Sequence, residues 1–356
     1  MRVGLLDLHA QYAEVGPAIE AAVLRVLPSG HYILGPEVEA CEREIAAAAG
    51  LPHAVGVSSG SDALLVTLMA LGILPGDEVI TTPFSFFATC GAVVRLGAVP
   101  GFADVDKETL NLDGKLALNR QTDRTRAFLP VHLFGRLADL GPLLDSGLPV
   151  VEDAAQALGT PGMGNRRSAA ATLSFFPSKN LGAAGDAGMV LTANAATAER
   201  IRLLRTHGSK PKYVHQMVGG NFRLDPLQAA ILRAKLPFLT KWNQRRKRHA
   251  AHYRSRLAAT PLALPPDGDF NWHHFVVRAP KREELRQWLK QREVETEVYY
   301  PEPLHLQPCL QSIGHRRGDF PHAEQAATEV LAIPVHPELS VAQIDFVCDQ
   351  VIGFYR

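Results

Sequence analysis

A chain of 356 residues that is 46% hydrophobic and 21% charged can bury one large or two moderate cores, which argues against disorder. Its formal net charge of +1 gives no electrostatic reason to bind nucleic acid or an anionic membrane, and no apolar run is long enough to span a bilayer. The four cysteines, Cys41, Cys90, Cys309 and Cys348, lie far apart without metal-ligand spacing and read as reduced thiols of a cytoplasmic protein. The opening stretch MRVGLLDLHAQYAEV carries acids and no extended apolar core, so it is not expected to be a secretory signal.

Residues 11–30 are expected to form an amphipathic helix ended by Pro28 and Gly30, and 36–49 a second helix. AVGVSSG then reads as a strand entering a Ser/Gly turn, followed by the helix SDALLVTLMALGI with Ser61 or Asp62 at its start. The alternation continues: EVITTP a strand, FFATCGAVVRLG a helix, VPGFADVD a strand, and RAFLPVHLFG and LPVVEDAA apolar strands that each run into a polar loop. Strands with apolar interiors alternating with helices indicate an α/β fold with a mostly parallel sheet covered on both faces.

After Gly208 the pattern changes. DPLQAAILRAKLPFLTKWNQRRKRHAAHYRSRLAA reads as one long helical connector broken near Pro237, and its basic run Lys241 to His249 as a solvated helix face. NWHHFVVRAP, KREELRQWLKQRE and VETEVYYP are expected to be strand, helix and strand of a small α+β unit. The boundary is placed near residue 240, giving a large domain over 1–240 and a smaller one over 241–356.

In such a sheet, ligands sit beyond the carboxyl ends of the strands, and several polar signals fall there. SSGSDA joins a strand to a helix, where backbone N–H groups can hold a phosphate or simply make a helix cap. Glu152, Asp153 and Gln156 follow a buried strand directly; Asp153 is either a helix cap or a carboxylate paired with a cationic ring nitrogen. Lys179 comes 26 residues later (179 − 153), between Phe175-Phe176-Pro177 and the glycines Gly182, Gly185 and Gly188, which are expected to need unusual backbone. An apolar pocket disfavours the ammonium and exposes the nucleophilic amine. Phosphate cup, ring acid and lysine in that order are what pyridoxal 5′-phosphate requires of a protein.

Taken jointly, YILGPEVEACE, GSDALLVTLMALGILPGDEVITTP, VEDAAQALG, SFFPSKNLGAAGDAG, GGNFRLDPLQAAIL and YYPEPLHLQP run nearly end to end and resemble the DegT/StrS family of sugar aminotransferases. The resemblance implies a fold-type I transferase in which Lys179 carries the cofactor covalently and then moves the proton. Asp153 would pair with the pyridinium nitrogen, and Gln156 would bond near the ring's phenolic oxygen. Phe86 would stack on the ring, and Gly60, Ser61, Asp62 and Ser174 would bind the phosphate. Asn221 matches an asparagine that reaches the phosphate from a neighbouring subunit, which implies a homodimer with shared active sites; a simple loop turn is the alternative. Arg223, Tyr213, His305 and Gln307 are candidates for the substrate, though Arg223 could be a structural ion pair and His305 and Gln307 could only pack the small domain. His207 and His215 share the Tyr213 loop.

The implied reaction passes an amino group from L-glutamate through the cofactor to a ketone on a nucleotide-linked sugar. Family members acting on 4-keto sugars often carry SFHA-x-K; SFFPSK in this chain resembles those that aminate 3-keto hexuronic acids or 3-keto-6-deoxyhexoses. A uronic acid would need a cation, for which Arg166, Arg167, Arg223 and Lys210 are candidates. C4 amination is the rival within the class. A dehydratase of the same family would replace Lys179 with histidine, and a non-catalytic regulatory protein would have no need of the lysine. A Rossmann dehydrogenase is excluded because SSGSDA lacks G-x-G-x-x-G spacing.

Overall fold

The computed structural model describes residues 1–356. Two N-terminal helices, α1 (Leu8–Val26) and α2 (Pro36–Ala48), precede the sheet. Its strands are β1 (His53–Val57), β2 (Glu78–Thr81), β3 (Val99–Phe102), β4 (Thr125–Leu129), β5 (Val151–Asp153), β6 (Ala170–Ser174) and β7 (Gly188–Thr192). Between them lie α3 (Gly60–Leu71), α4 (Ala88–Arg95), α5 (Gly114–Asn119) and α6 (Gly141–Leu144), and α7 (Ala195–Leu204) follows β7.

Two ladders, β3-β2-β4 and β1-β7-β6-β5, are joined by parallel bridges at Phe128–Val150 and Val131–Asp153, giving one run of seven strands. All neighbours pair in parallel except β7, which runs against both β1 and β6. The carboxyl ends of β1, β2, β4, β5 and β6 therefore share one edge with the amino end of β7. Strands β1, β4, β5, β6 and β7 are almost wholly buried, as the apolar strand interiors required.

The long connector is two helices, α8 (Pro226–Lys235) and α9 (Leu239–Leu257), separated by a single 3-10 turn at Leu236–Phe238. Pro237 sits in that turn, where its missing N–H removes a helical hydrogen bond. The basic run on α9 is less solvated than its composition suggests. Lys241 and Arg245 bind Glu14 of α1 at 2.6 and 3.0 Å, Lys247 binds Asp269 at 2.8 Å, and Arg246 is buried. Hydrogen bonds from Lys241, Trp242 and Arg245 hold the Glu14 carboxyl down at about 2.

Beyond α9 come β8 (Phe275–Arg278), α10 (Arg282–Gln291), α11 (Pro321–Glu329), β9 (Val330–Ile333) and α12 (Val341–Tyr355), with β8 and β9 antiparallel. VETEVYYP is not a strand. It bridges Val3 through Val294 and then Ala332 through Glu297, and this change of partner within three residues prevents a continuous ladder. The apolar core of this unit runs without a break into Val3, Phe84, Phe102 and Val131 of the sheet region. No helix is long and apolar enough to cross a membrane.

Candidate active site

The turn after β1 is built on close approach. Gly188 is paired with both Val57 and Ser174, and a Cβ there would lie 2.2 Å from the Ser59 carbonyl oxygen. A Cβ on Gly60 would lie 2.6 Å from that of Ser174. These small residues let the turn lie directly on the ends of β6 and β7. Ser59, rather than Ser61 or Asp62, caps α3, its hydroxyl accepting from the Asp62 N–H at 3.0 Å. The N–H groups of Gly60 and Ser61 donate to nothing within the chain and stand at the positive end of α3, a setting that fits a phosphate. The Asp62 carboxylate is engaged by Ser58 at 2.6 Å and Arg95 at 3.7 Å, so its own contribution is to hold the turn.

Gly188→Ala is expected to lower stability by about 1–3 kcal/mol, because backbone rather than a mobile side chain would have to move. Gly353→Ala in α12, where an added Cβ meets nothing within 4 Å, is the control and should be neutral or slightly stabilising. Thermal denaturation of both variants checks this; equal melting temperatures would refute the close-approach account.

At the end of β5, Asp153 is buried and both its oxygens are held: Oδ2 accepts from the Thr89 hydroxyl at 2.8 Å and Oδ1 from the Ala155 N–H at 3.2 Å. Burial pushes its carboxyl up, and the Thr89 bond and the nearby Lys179 pull it back. Glu152, next in the strand, is a structural brace. The Ala138 N–H donates to His132 Nδ1 at 3.0 Å, so the His132 proton sits on Nε2 and is donated to Glu152 at 2.8 Å. Gly164 and Asn165 N–H groups complete the Glu152 shell, and the His132 N–H binds the Asp153 carbonyl oxygen at 3.0 Å. Burial raises the Glu152 carboxyl, but these bonds outweigh it and hold it below the ordinary range.

Lys179 lies in a turn closed by its own N–H to the Phe176 carbonyl at 2.8 Å. Burial pushes its amine down to about 8, against the pull of Asp153. The glycines that follow do not all have the expected conformation. Gly182 and Gly188 keep negative φ; a Cβ on Gly182 would meet the Pro177 carbonyl oxygen at 2.4 Å, so space is what it provides. The aromatic pair divides, with Phe175 packed in the core and Phe176 exposed. Asn180, Gly182 and Ala184 are tied by His273, Lys235 and Gln228, which clamps the segment from outside.

Gln156 accepts from the Phe134 N–H at 2.6 Å and donates to the Tyr300 hydroxyl at 3.3 Å. Phe86 is 60% exposed and its ring lies 6.4 Å from that of Tyr300. Thr89, Tyr300, His132 and the clamp on 180–184 escaped sequence reasoning, since a lone threonine or tyrosine carries no spacing signal.

The remaining candidates are dispersed. Ser174 stands at the end of β6 against Gly60. Asn221 is exposed and bridges Thr206; Tyr213, 79% exposed, is at the tip of the same loop, where His215 Nδ1 meets the His207 carbonyl at 2.8 Å. Arg223 is half-buried with an unpartnered Nε. Of the other cations considered, Arg166 binds the Gly50 carbonyl, Arg167 Asp145 and Lys210 Glu199. Gln307 is half-buried, 3.4 Å from the Glu302 carbonyl. The His305 side chain is fully buried, 3.1 Å from Glu324 and packed edge-on against Phe320, an arrangement that favours the packing alternative over a substrate contact.

The model of one known protein family matches residues 14–352. The chain belongs to the DegT/DnrJ/EryC1/StrS aminotransferase family. It is 46% identical over 361 residues to a dTDP-3-amino-3,4,6-trideoxy-α-D-glucose transaminase of Streptomyces venezuelae, covering 98% of this chain and 95% of that one. It is 45% identical over 369 residues to a protein of Geobacillus stearothermophilus named as a pleiotropic regulatory protein, covering 100% and 99%. A crystal structure of S. venezuelae DesV in complex with a ketimine intermediate superposes with a TM-score of 0.95 at 44% identity, covering 100% and 99%. Members of this aminotransferase family thus share both the fold and the length of the chain.

Proposed function

We propose that this aminotransferase uses pyridoxal 5′-phosphate to move the amino group of L-glutamate to the C3 ketone of a nucleotide-linked sugar. The observation that carries the reading is the Lys179 amine, depressed to about 8, within the field of an Asp153 whose two oxygens are both fixed. The S. venezuelae relative named for a 3-amino sugar supports the position, as does SFFPSK before Lys179.

The residues present fit the cofactor. The free N–H groups of Gly60 and Ser61, with Ser174, would take its phosphate; Asp153 would keep a proton on the ring nitrogen; Gln156 would bond the ring's oxygen and Phe86 would cover its face. The cofactor, when bound, supplies a carbonyl that carries the amino group and a ring that accepts the electron pair freed at the donor's α-carbon. Lys179 would move the proton from the donor's α-carbon to the cofactor carbon that receives the amino group, and in the second half of the exchange from that carbon to the sugar carbon. Thr89 and His132 hold Asp153 where that charge is needed.

A second copy would complete the site. Val218, 88% exposed, and Tyr213, 79% exposed, leave apolar surface on the loop that leads to Asn221, which would reach the neighbour's phosphate. Four free thiols, three of them buried, support a cytoplasmic setting. A regulatory role rests on the name of the Geobacillus relative and has no use for the Lys179 amine. The test is to supply L-glutamate with 3-keto and 4-keto nucleotide sugars and locate the new amine by NMR. Amination at C3 is expected; a C4 amine overturns the position, and no turnover with any keto sugar favours the regulatory role.

A further inference from the structure

Two buried cations stand behind the Lys179 turn. Lys235, the last residue of α8, is 4% exposed and donates from its amine to the Gly182 carbonyl oxygen. Arg246 of α9 is 5% exposed and donates from Nη1 to the His273 carbonyl oxygen at 3.1 Å, while its Nε has no partner. His273 in turn donates from Nδ1 to the Asn180 amide oxygen at 2.8 Å, and burial keeps its ring neutral. Asn180 Nδ2 reaches the Asn271 carbonyl oxygen at 3.1 Å. Directly or through His273, both cations therefore end on the three residues that follow Lys179.

One acid serves both. The Glu338 side chain, on the loop between β9 and α12, is buried; its Oε2 accepts from His336 Nδ1 at 3.1 Å, and its Oε1 has no partner. His249 of α9 binds the His336 carbonyl oxygen at 3.1 Å and so fixes this loop against α9. Burial pushes the Lys235 amine down to about 8 and the Arg246 guanidinium down to about 10, and Glu338 is the acid that opposes both shifts. An unpartnered buried carboxylate oxygen within electrostatic reach of two buried cations makes one cluster of charge. Removing its single anion would strand two cations.

We propose that Glu338 is a positioning residue for Lys179: as the shared counter-ion of Lys235 and Arg246, it keeps both on the contacts that hold the Lys179 turn. The C-terminal unit thereby sets the place of an amine carried by the sheet region. The part that concerns amino transfer rests on the aminotransferase reading.

The test compares Glu338→Gln, Lys235→Met and the double variant with wild type. In the cofactor-loaded protein, absorbance changes on mixing with L-glutamate give a limiting rate and a half-saturating concentration. Each single variant is expected to slow the limiting rate per bound cofactor by about 10–100-fold, with the half-saturating concentration changed less than about twofold. The double variant should be no slower than the slower single, because both residues act through one backbone contact. Glu338→Gln should lower the melting temperature by about 5–10 °C, and adding Lys235→Met should recover part of that loss by removing a stranded cation. In the cofactor-free chain, labelling of Lys179 by an amine-directed reagent, read by peptide mass spectrometry, should reach half-maximum at a higher pH in Glu338→Gln and Lys235→Met than in wild type. A loosened turn lets water restore the ammonium. Limiting rates equal to wild type, additive losses in the double variant, or an unmoved Lys179 half-maximum overturns the proposal. Lys235→Met, which strands no cation, stands in if Glu338→Gln does not fold. If L-glutamate leaves the wild-type cofactor unchanged, the aminotransferase reading fails instead, and the melting temperatures and Lys179 labelling still decide whether Glu338 holds the turn.

Discussion

Replacement of Lys179 by alanine should abolish covalent retention of the cofactor and slow amino transfer by roughly 10²–10⁴-fold or more, the amount a positioned base contributes. Borohydride treatment of the loaded protein followed by mass spectrometry should show the cofactor's added mass on wild type and none on Lys179→Ala. An unchanged adduct would mean that another amine carries the cofactor. The same variant tests the electrostatics. Burial holds the folded-state amine at about 8, below its unfolded value of about 10.4. Between those values the unfolded chain binds the extra proton at this position, so Lys179 contributes stability that grows as pH rises through that window. Lys179→Ala lacks that contribution, so the denaturant midpoint of the cofactor-free wild type should rise relative to that of the variant between pH 7.5 and 10.

Asp153→Asn should be the second most damaging change. The amide keeps the size of the carboxylate but loses the charge that would hold a proton on the ring, and a loss of about 10²–10³-fold in amino transfer is expected. Asp153 also raises the Lys179 amine. The variant should therefore shift Lys179 further down, making its reaction with an amine-directed reagent reach half-maximum at a lower pH than in wild type. A half-maximum that stays put or moves up would show that the two groups are not coupled. Buried strand ends rarely keep an acid without a partner, and here Thr89 and the Ala155 N–H supply two bonds without removing the charge.

Much of the chemistry was legible because it is written in contiguous residues. Lys179 stands out by its neighbours Phe175 to Gly188, and Asp153 by its place after an apolar strand. Both lie at one edge of the sheet because strand order and direction put them there. The helix expected to start at Ser61 or Asp62 starts at Gly60 with Ser59 as its cap; Ser58, Ser59, Ser61 and Asp62 are all residue types that cap, so local sequence does not choose among them. For His305 the sequence left substrate contact and packing open, and Glu324 and Phe320, distant in sequence, enclose it.

From the sequence alone came the alternation of strands and helices, the break at Pro237, the order of anion cup, acid and lysine, and the family those motifs resemble. Each depends on local periodicity or on residues adjacent in the chain. The tertiary structure decided which groups are desolvated and which are paired. It put Thr89 on Asp153, His132 under Glu152 and Val3 beside Val294. Burial and pairing depend on what the rest of the chain brings to within a few ångströms, and no local pattern of residues records that.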